Sequence, residues 1–348
     1  MSQVRLCQAE APQLSRERRI EMESNYYIAP MEGITGSTYR RAHWEYYPHA
    51  DKYIAPFLSP TQDHLFTLRD RREILPERNE GIPVVPQLMT RNSDDFLWAA
   101  RELRDMGYEE VNLNLGCPSG TVVAKGKGSG LLGRLELLDE LLYNIFSAEL
   151  GIRVSVKTRL GLEQPEEFER ILAIYQRYPI SELTIHPRVR RDQYKGAVRL
   201  EEYGKALQCC SIPVCYNGDL LTPDNVAALL KRFPETKALM LGRGVIADPA
   251  LIGRLRGGPG TDKEQLAGFT QTLYEGYCVD FGHRHGAMQR LKEVWSYLLY
   301  LFADRESYGK KLRKTTDPAQ YERVAAELIR DLDLLPEPEL PWRGVTVF

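Results

Sequence analysis

Eight short, apolar, β-prone runs recur between residues 26 and 257, most of them separated by amphipathic stretches. They are Tyr26–Pro30, Tyr53–Phe57, Pro83–Leu88, Glu110–Leu115, Ile152–Lys157, Glu182–His186, Ile212–Asn217 and Ala238–Gly242. Strands that alternate with helices in this way build βα units and a parallel sheet. Ser93, followed by Asp94 and Asp95 and the stripe Phe96, Leu97, Ala100 and Leu103, reads as a capped helix ending at Gly107. Similar stripes occupy Leu135–Leu150, Pro165–Tyr178, Leu200–Cys209 and Pro223–Phe233, whereas Leu58–Glu80 is polar and irregular and reads as a loop in place of a helix. Met31, Gln87, Asn114, Lys157, His186, Asn217 and Gly242 all fall at the carboxyl end of a run. Eight strands with their special residues at one end favour a (β/α)8 TIM barrel over an open sheet, because such barrels carry their active sites on that rim. Core residues would instead be spread along the strands.

After the glycine- and proline-bearing stretch Gly257–Gly260, the segments Lys263–Asp280, Ala287–Phe302 and Ala319–Leu335 have helical periodicity and no strand signal. The expected organisation is an N-terminal extension over 1–24, poorly ordered, a barrel over 25–258, and a small all-α C-terminal domain over 259–348. The extension is polar and lacks the apolar stretch of a secretory signal, and no apolar run approaches the roughly 20 residues of a membrane span. A cytoplasmic protein is therefore expected. The six cysteines have no metal-finger spacing, so neither a metal site nor a disulfide framework is expected. A formal net charge of −2 gives no global nucleic-acid signature, which leaves any polyanion binding to local basic patches.

Three constellations carry chemistry. Val111-Asn-Leu-Asn-Leu-Gly-Cys-Pro118 leads into a loop rich in glycine and lysine, from Gly120 to Gly130. Pro118 lacks an N–H and ends the strand, so Cys117 is expected on an exposed, mobile, electropositive loop at the barrel mouth. A lone cysteine after a strand is more often a small buried hydrophobe, and Cys7, Cys209, Cys210, Cys215 and Cys278 are read that way. The second is the pair Asn217-Gly218-Asp219 and Gly242-Arg243-Gly244 on the last two strands, with a helix start at Ala247-Asp-Pro-Ala-Leu251. Loops after strands seven and eight are the usual phosphate position in these barrels. The third joins Val156-Lys-Thr-Arg-Leu-Gly161 to Thr184-Ile-His-Pro-Arg188. A cation such as Lys157 at the end of an apolar strand needs an anionic partner, which a flavin gaining charge on reduction supplies. His186 is a candidate donor to that flavin or its phosphate. Gln87 offers a donor and an acceptor to a planar heterocycle, and Pro30 and Met31 an apolar wall.

With these pieces in place, the sequence resembles the tRNA-dihydrouridine synthase family. Ala29-Pro-Met-Glu-Gly-Ile-Thr35, Gln87-Leu88, Asn112-Leu-Asn-Leu-Gly-Cys-Pro118, Lys157-Thr-Arg-Leu-Gly161, Leu183-Thr-Ile-His186, Asn217-Gly-Asp219 and Leu241-Gly-Arg-Gly244 run in family order, with a looser match at Gln289-Arg-Leu-Lys-Glu-Val-Trp295. The resemblance covers roughly residues 26 to 300 and departs at Pro187, in Val189–Gly196 and in Gly120–Gly130. It implies tightly bound, non-covalent FMN reduced by NADPH, hydride delivery to C6 of a flipped-out uridine in tRNA, and a proton from Cys117 to C5. It also implies FMN contacts by Pro30, Met31, Gln87, Lys157, His186, Asn217, Gly218, Asp219, Gly242 and Arg243, and uracil or ribose contacts by Asn114 and Arg188. The helical tail would grip tRNA, helped by the clusters Lys125/Lys127, Arg188/Arg190/Arg191/Lys195, Arg284/Arg290/Lys292 and Lys310/Lys311/Arg313/Lys314. No membrane and no obligate protein partner enter this reading. Two rivals stand beside it: an FMN barrel oxidoreductase acting on a small molecule, of the dihydroorotate dehydrogenase or ene-reductase type, and a non-catalytic RNA-binding protein that keeps the barrel.

Overall fold

The computed structural model describes residue 21 and residues 23–342; the expected extension over 1–24 and Cys7 thus lie almost wholly outside the described residues. Nine parallel strand segments form one sheet: β1 Asn25–Ile28, β2 Lys52–Ile54, β3 Val84–Val85, β4 Gln87–Leu88, β5 Glu110–Leu115, β6 Arg153–Arg159, β7 Leu183–His186, β8 Val214–Asn217 and β9 Ala238–Leu241. Their order, β3-β2-β1-β9-β8-β7-β6-β5-β4, starts and ends on segments that are neighbours in the chain. β3 and β4 are two halves of the expected strand Pro83–Leu88, parted at Pro86, which has no N–H to give to a ladder. The first half pairs with β2 and the second with β5. Leu58 bridges to Leu88 across the bend, and the ring closes as an eight-stranded barrel. β6 runs two residues past its expected end, so Lys157 is not the last residue of its strand.

Helices pack around the ring for the reasons the sequence implies, with local differences. Ser93–Asp105 buries Phe96, Ala99, Ala100 and Leu103, one face at helical spacing. Its cap is Asn92, not Ser93: the Asn92 side chain accepts from the N–H groups of Asp94 and Asp95, and both aspartates favour the positive end of the helix dipole. The polar stretch expected as a loop instead contains two short helices, Leu68–Ile74 and Pro76–Asn79. The first has a reciprocal cap between Thr67 and Asp70 and buries only Ile74, which is why its apolar pattern is silent.

The carboxyl-terminal region is helical, and an irregular stretch, 256–262, precedes it. Lys263–Phe281 starts on an Asp262 cap and ends at left-handed Gly282; Arg284–Leu298, Glu306–Lys314 and Pro318–Asp331 follow. Glu306–Lys314 is a helix that apolar periodicity does not announce, since only Gly309 and Leu312 are buried. Two glycines let the tail lie against the barrel. A Cβ at Gly268 would come within 2.5 Å of the Tyr46 ring, and one at Gly276 within 2.6 Å of Thr38 Cγ2. Both partners belong to the barrel helix Ser37–Tyr46.

Tyr27, Ala29, Ile54, Val85, Cys215, Ala238 and Met240 form one buried cluster contributed by the strands. At the opposite end from the expected site, Lys52 Nζ donates to Glu110 at 2.9 Å and lies 3.6 Å from Glu182, while Tyr27 OH donates to Glu182 at 2.8 Å. Glu110 is 5 % exposed and its other cation, the exposed Arg153, lies 3.8 Å away, so losing Lys52 would leave a carboxylate that is costly to bury. Lys52→Ala is expected to lower stability by about 2–3 kcal/mol, the partial exposure of Lys52 moderating the full cost of a broken buried pair. Urea unfolding measures it, and an unchanged midpoint would show that water already carries these charges.

Candidate active site

The carboxyl ends of the strands surround a cavity of about 460 Å³. Its walls include twelve of the thirteen residues expected from sequence: Pro30, Met31, Gln87, Asn114, Cys117, Lys157, His186, Asn217, Gly218, Asp219, Gly242 and Arg243. Arg188 is the thirteenth and stands behind the wall. It is 1 % exposed, pairs with Asp219, and donates from Nη2 to Gly196 O at 2.6 Å. Arg159, Tyr194, Tyr297 and Trp342 also line the cavity and were not among the expected site residues.

One wall is a hydrogen-bonded row set by strand register. Gln87 is paired with Asn112, Asn112 with Ser155, and Asn114 with Lys157. Asn112 Nδ2 donates to Ser155 Oγ at 2.9 Å, and Gln87 Nε2 donates to Asn112 Oδ1 at 2.7 Å. Asn114 Nδ2 then donates to Gln87 Oε1 at 2.8 Å. The free oxygen of Asn114 accepts the N–H groups of Gly116 at 3.1 Å and Cys117 at 3.0 Å. The cysteine loop is thus tied to the barrel floor through four polar side chains. Its other side is held by Ser129, whose N–H and hydroxyl both donate to Cys117 O. Gly128 sits at φ +55, where a Cβ would meet Cys117 Cβ at 3.0 Å. The expected mobile loop is a folded one: Gly120–Ala124 is helical, and Gly128–Gly133 is a 3-10 turn buried through Leu132. Cys117 itself is half-buried on the cavity wall. Cys215 is buried inside the barrel and Cys209 is exposed at a helix end, neither on the cavity wall.

The adjoining wall is cationic. Lys157 Nζ donates to Asn217 Oδ1 at 2.8 Å, its one hydrogen-bond partner among the described residues, although an ammonium has three donors. Burial, and next the neighbouring Arg159, push its pKa down to about 7. Arg159 is fixed by donation to Gly116 O at 2.9 Å and to Val189 O at 3.2 Å. His186 is held well below the usual histidine range, first by burial and then by Arg159, Lys157, Arg188 and Arg243. It is therefore neutral, and its tautomer follows from geometry. Arg188 Nη1 lies 3.1 Å from His186 Nε2, and a guanidinium only donates, so the imidazole proton is on Nδ1. Asp219, in a left-handed conformation at φ 47, is bridged by Arg188 and by Arg243 Nη2 at 2.8 Å. Two carboxylates line the cavity, Asp219 and Glu32, the latter paired with Arg69. With Lys157, Arg159 and Arg243 on its walls and Arg188 behind them, the cavity has a surplus of positive charge that an anionic ligand would neutralise. The helix following Gly242 begins at once with Arg243, as Arg243–Ala247, earlier than the expected start at Ala247.

Replacing Asn114 with Ala would leave the Gly116 and Cys117 N–H groups without their acceptor and free the loop from the row behind it. The expected result is a loss of about 1–3 kcal/mol and faster alkylation of Cys117. Peptide mass spectrometry after iodoacetamide treatment distinguishes Cys117 from the exposed Cys209; unchanged Cys117 labelling would contradict the loop-anchoring role.

The family profile for dihydrouridine synthase (Dus) matches residues 27–325, barrel and most of the helical tail together. A probable tRNA-dihydrouridine synthase 1 from Synechocystis is 31% identical over 242 residues, which cover 68% of this chain and 65% of that protein, just under two thirds of its length. A probable tRNA-dihydrouridine synthase from Staphylococcus epidermidis is 31% identical over 278 residues, covering 78% of this chain and 84% of its own. Solved structures of similar fold include TcOYE with pHBA, with a TM-score of 0.50 at 11% identity over 73% of this chain and 94% of that one. Another is the 6-hydroxypseudooxynicotine amine oxidase HisD from Pseudomonas geniculata, with a TM-score of 0.50 at 12% identity over 70% of this chain and 50% of that one. At such identity the likeness is one of barrel architecture. With the profile running from β1 into the last tail helix, the chain belongs to the dihydrouridine synthase family.

Proposed function

We propose that this protein is a tRNA-dihydrouridine synthase that binds FMN in the cationic cavity, takes electrons from NADPH, and reduces the C5=C6 bond of a uridine in tRNA. The observation that carries the reading is the pairing of two unlike walls in one cavity. One carries a surplus of basic side chains around Asp219; the other presents a thiol held on a folded loop. The family membership of the chain and the names of its relatives support the same substrate.

The residues fit the cofactor. The cavity lies within the roughly 300–1,000 Å³ of small-molecule sites. Asn217, Gly218, Gly242 and Arg243, at the ends of β8 and β9, would hold the phosphate. Lys157 and the Nδ1–H of His186 are donors for the pyrimidine edge and side chain of the flavin, with Pro30 and Met31 against its face. When bound and reduced, FMN supplies a hydride to C6 of the uracil. Cys117 supplies the proton to C5 as general acid. For a flipped-out base to reach it, the thiol has to hold a fixed position, and the row from Ser155 to Asn114 supplies that rigidity. Asn114 and Gln87 act here through the loop they support as well as through any spare donor they present. Arg188 acts behind the wall, by fixing Asp219 and the His186 tautomer.

For RNA, the helix Glu306–Lys314 is the best-suited surface. Lys310, Lys311, Arg313 and Lys314 are exposed and have no carboxylate partner among the described residues. The cations of the other tail cluster are occupied: Arg284 pairs with Glu322, Arg290 with Glu293 at 2.6 Å, and Lys292 donates to the Thr315 carbonyl. Phosphate contacts by this exposed group make binding salt-dependent. A tRNA substrate places the reaction in the cytoplasm, and among the described residues no helix is long and apolar enough to cross a membrane.

Cys117→Ala is expected to purify yellow, yet to slow reoxidation of its reduced flavin by tRNA about 10²–10⁴-fold, the usual contribution of a positioned acid. Stopped-flow absorbance reads both properties, and wild-type rates in the variant would remove Cys117 from the mechanism. A second expectation concerns pH. The pyrimidine edge of a flavin gains negative charge on reduction and would restore the charge on Lys157, so binding of reduced FMN takes up a proton once the free protein has lost it. Affinity for reduced FMN, measured without oxygen, is therefore highest below pH 7 and falls above it by up to about tenfold per pH unit. Fluorescence titrations of flavin-free protein from pH 6 to 9 check this, and Lys157→Met should abolish the slope.

A further inference from the structure

The chain beyond the last helix returns to the barrel mouth. Leu332 caps Pro318–Asp331, and the following segment is fastened to the turn that follows the Arg284–Leu298 helix. Asp333 O accepts from Ala303 N at 3.0 Å, Leu335 N donates to Leu301 O at 2.7 Å, and Glu339 N donates to Tyr300 O at 3.0 Å. Glu337 pairs with Arg254 at 3.0 Å and Glu339 with Arg305 at 2.8 Å. These ties deliver Trp342 to the cavity wall, beside Tyr297 and Arg243. Its ring centroid is 5.3 Å from that of Tyr297 and 5.6 Å from that of Tyr300, and the Arg243 guanidinium lies 5.1 Å from it.

Arg243 is thereby held in two ways: Asp219 takes one edge of the guanidinium at 2.8 Å, and Trp342 lies within cation–π range of it. A long side chain at a cavity rim otherwise samples many rotamers, and a planar cation fixed in advance loses less freedom when it meets an anion. We infer that Trp342 is a positioning residue for the cofactor: the carboxyl-terminal segment fixes Arg243 in the conformation that grips the phosphate of the flavin mononucleotide. This rests on the FMN reading of the cavity and extends it to a residue outside both the barrel and the helices of the tail. The effect belongs to the phosphate end alone. Trp342 therefore discriminates FMN from riboflavin, which has the same ring system and no phosphate.

The test is a comparison of FMN and riboflavin binding to flavin-free protein by fluorescence quenching, with FMN release followed by stopped flow. Trp342→Ala is expected to weaken FMN about tenfold, mostly through faster release, and to change riboflavin affinity less than twofold. Trp342→Phe keeps an aromatic face and should stay near wild type. Trp342→Leu keeps apolar bulk without that face and should resemble the alanine variant, so the Phe/Leu pair decides the matter even if the alanine protein folds poorly. Unchanged FMN release in the Leu variant, or equal weakening of both flavins, would overturn the inference while leaving the FMN reading intact. Wild-type protein that binds neither flavin would overturn the FMN reading itself.

Discussion

Closing parallel strands into a ring forces every carboxyl end onto the same rim, and the rest of this structure follows from that constraint. The register of the strands decides which polar side chains become neighbours there. Gln87 beside Asn112, Asn112 beside Ser155 and Asn114 beside Lys157 are consequences of backbone pairing before they are features of a site. Their amides then satisfy one another in a row that ends on the backbone of the cysteine loop. Buried amides of this kind are costly when unpaired, so the row is rigid for the same reason that it is tolerated.

The same geometry concentrates charge. Lys157, Arg159, Arg188 and Arg243 arrive from three different strand ends or the loops after them, and Asp219 is the carboxylate among them. Burial and, after it, cationic neighbours keep His186 neutral and bring Lys157 close to neutrality. A cavity that suppresses the charge of its own lysine is arranged to receive charge from outside. Arg188 has a quieter part: it fixes Asp219 and the proton position on His186 from behind the wall.

Much of the barrel was legible because its strands are buried on both faces and read as continuous apolar runs between turn residues. The break at Pro86 was present in the sequence as a proline within a strand, though its effect on sheet order appears only once the ring closes. Helices with a broad buried face, such as Ser93–Asp105, were readable; Leu68–Ile74 and Glu306–Lys314 were not, since one buries Ile74 alone and the other only Gly309 and Leu312. The Thr67/Asp70 spacing was the one local signal for the former. Most cavity residues at strand ends were found by position; Arg159 was not, because β6 runs two residues past its expected end. Tyr194, Tyr297 and Trp342 come from a loop and from the tail, and nothing near them in sequence points to a shared wall. The glycines around Cys117 suggested mobility, whereas Gly128 serves close packing against the cysteine.

The account stands on the claim that the cationic cavity and the fixed thiol act together on uridine in tRNA. The most direct measurement supplies purified, FMN-loaded protein with NADPH and tRNA from cells lacking dihydrouridine, and maps the product by mass spectrometry. The account predicts NADPH oxidation matched by dihydrouridine formed at a defined tRNA position, with no product from flavin-free protein. NADPH oxidation driven by small unsaturated carbonyl compounds, with the tRNA left unchanged, would contradict it.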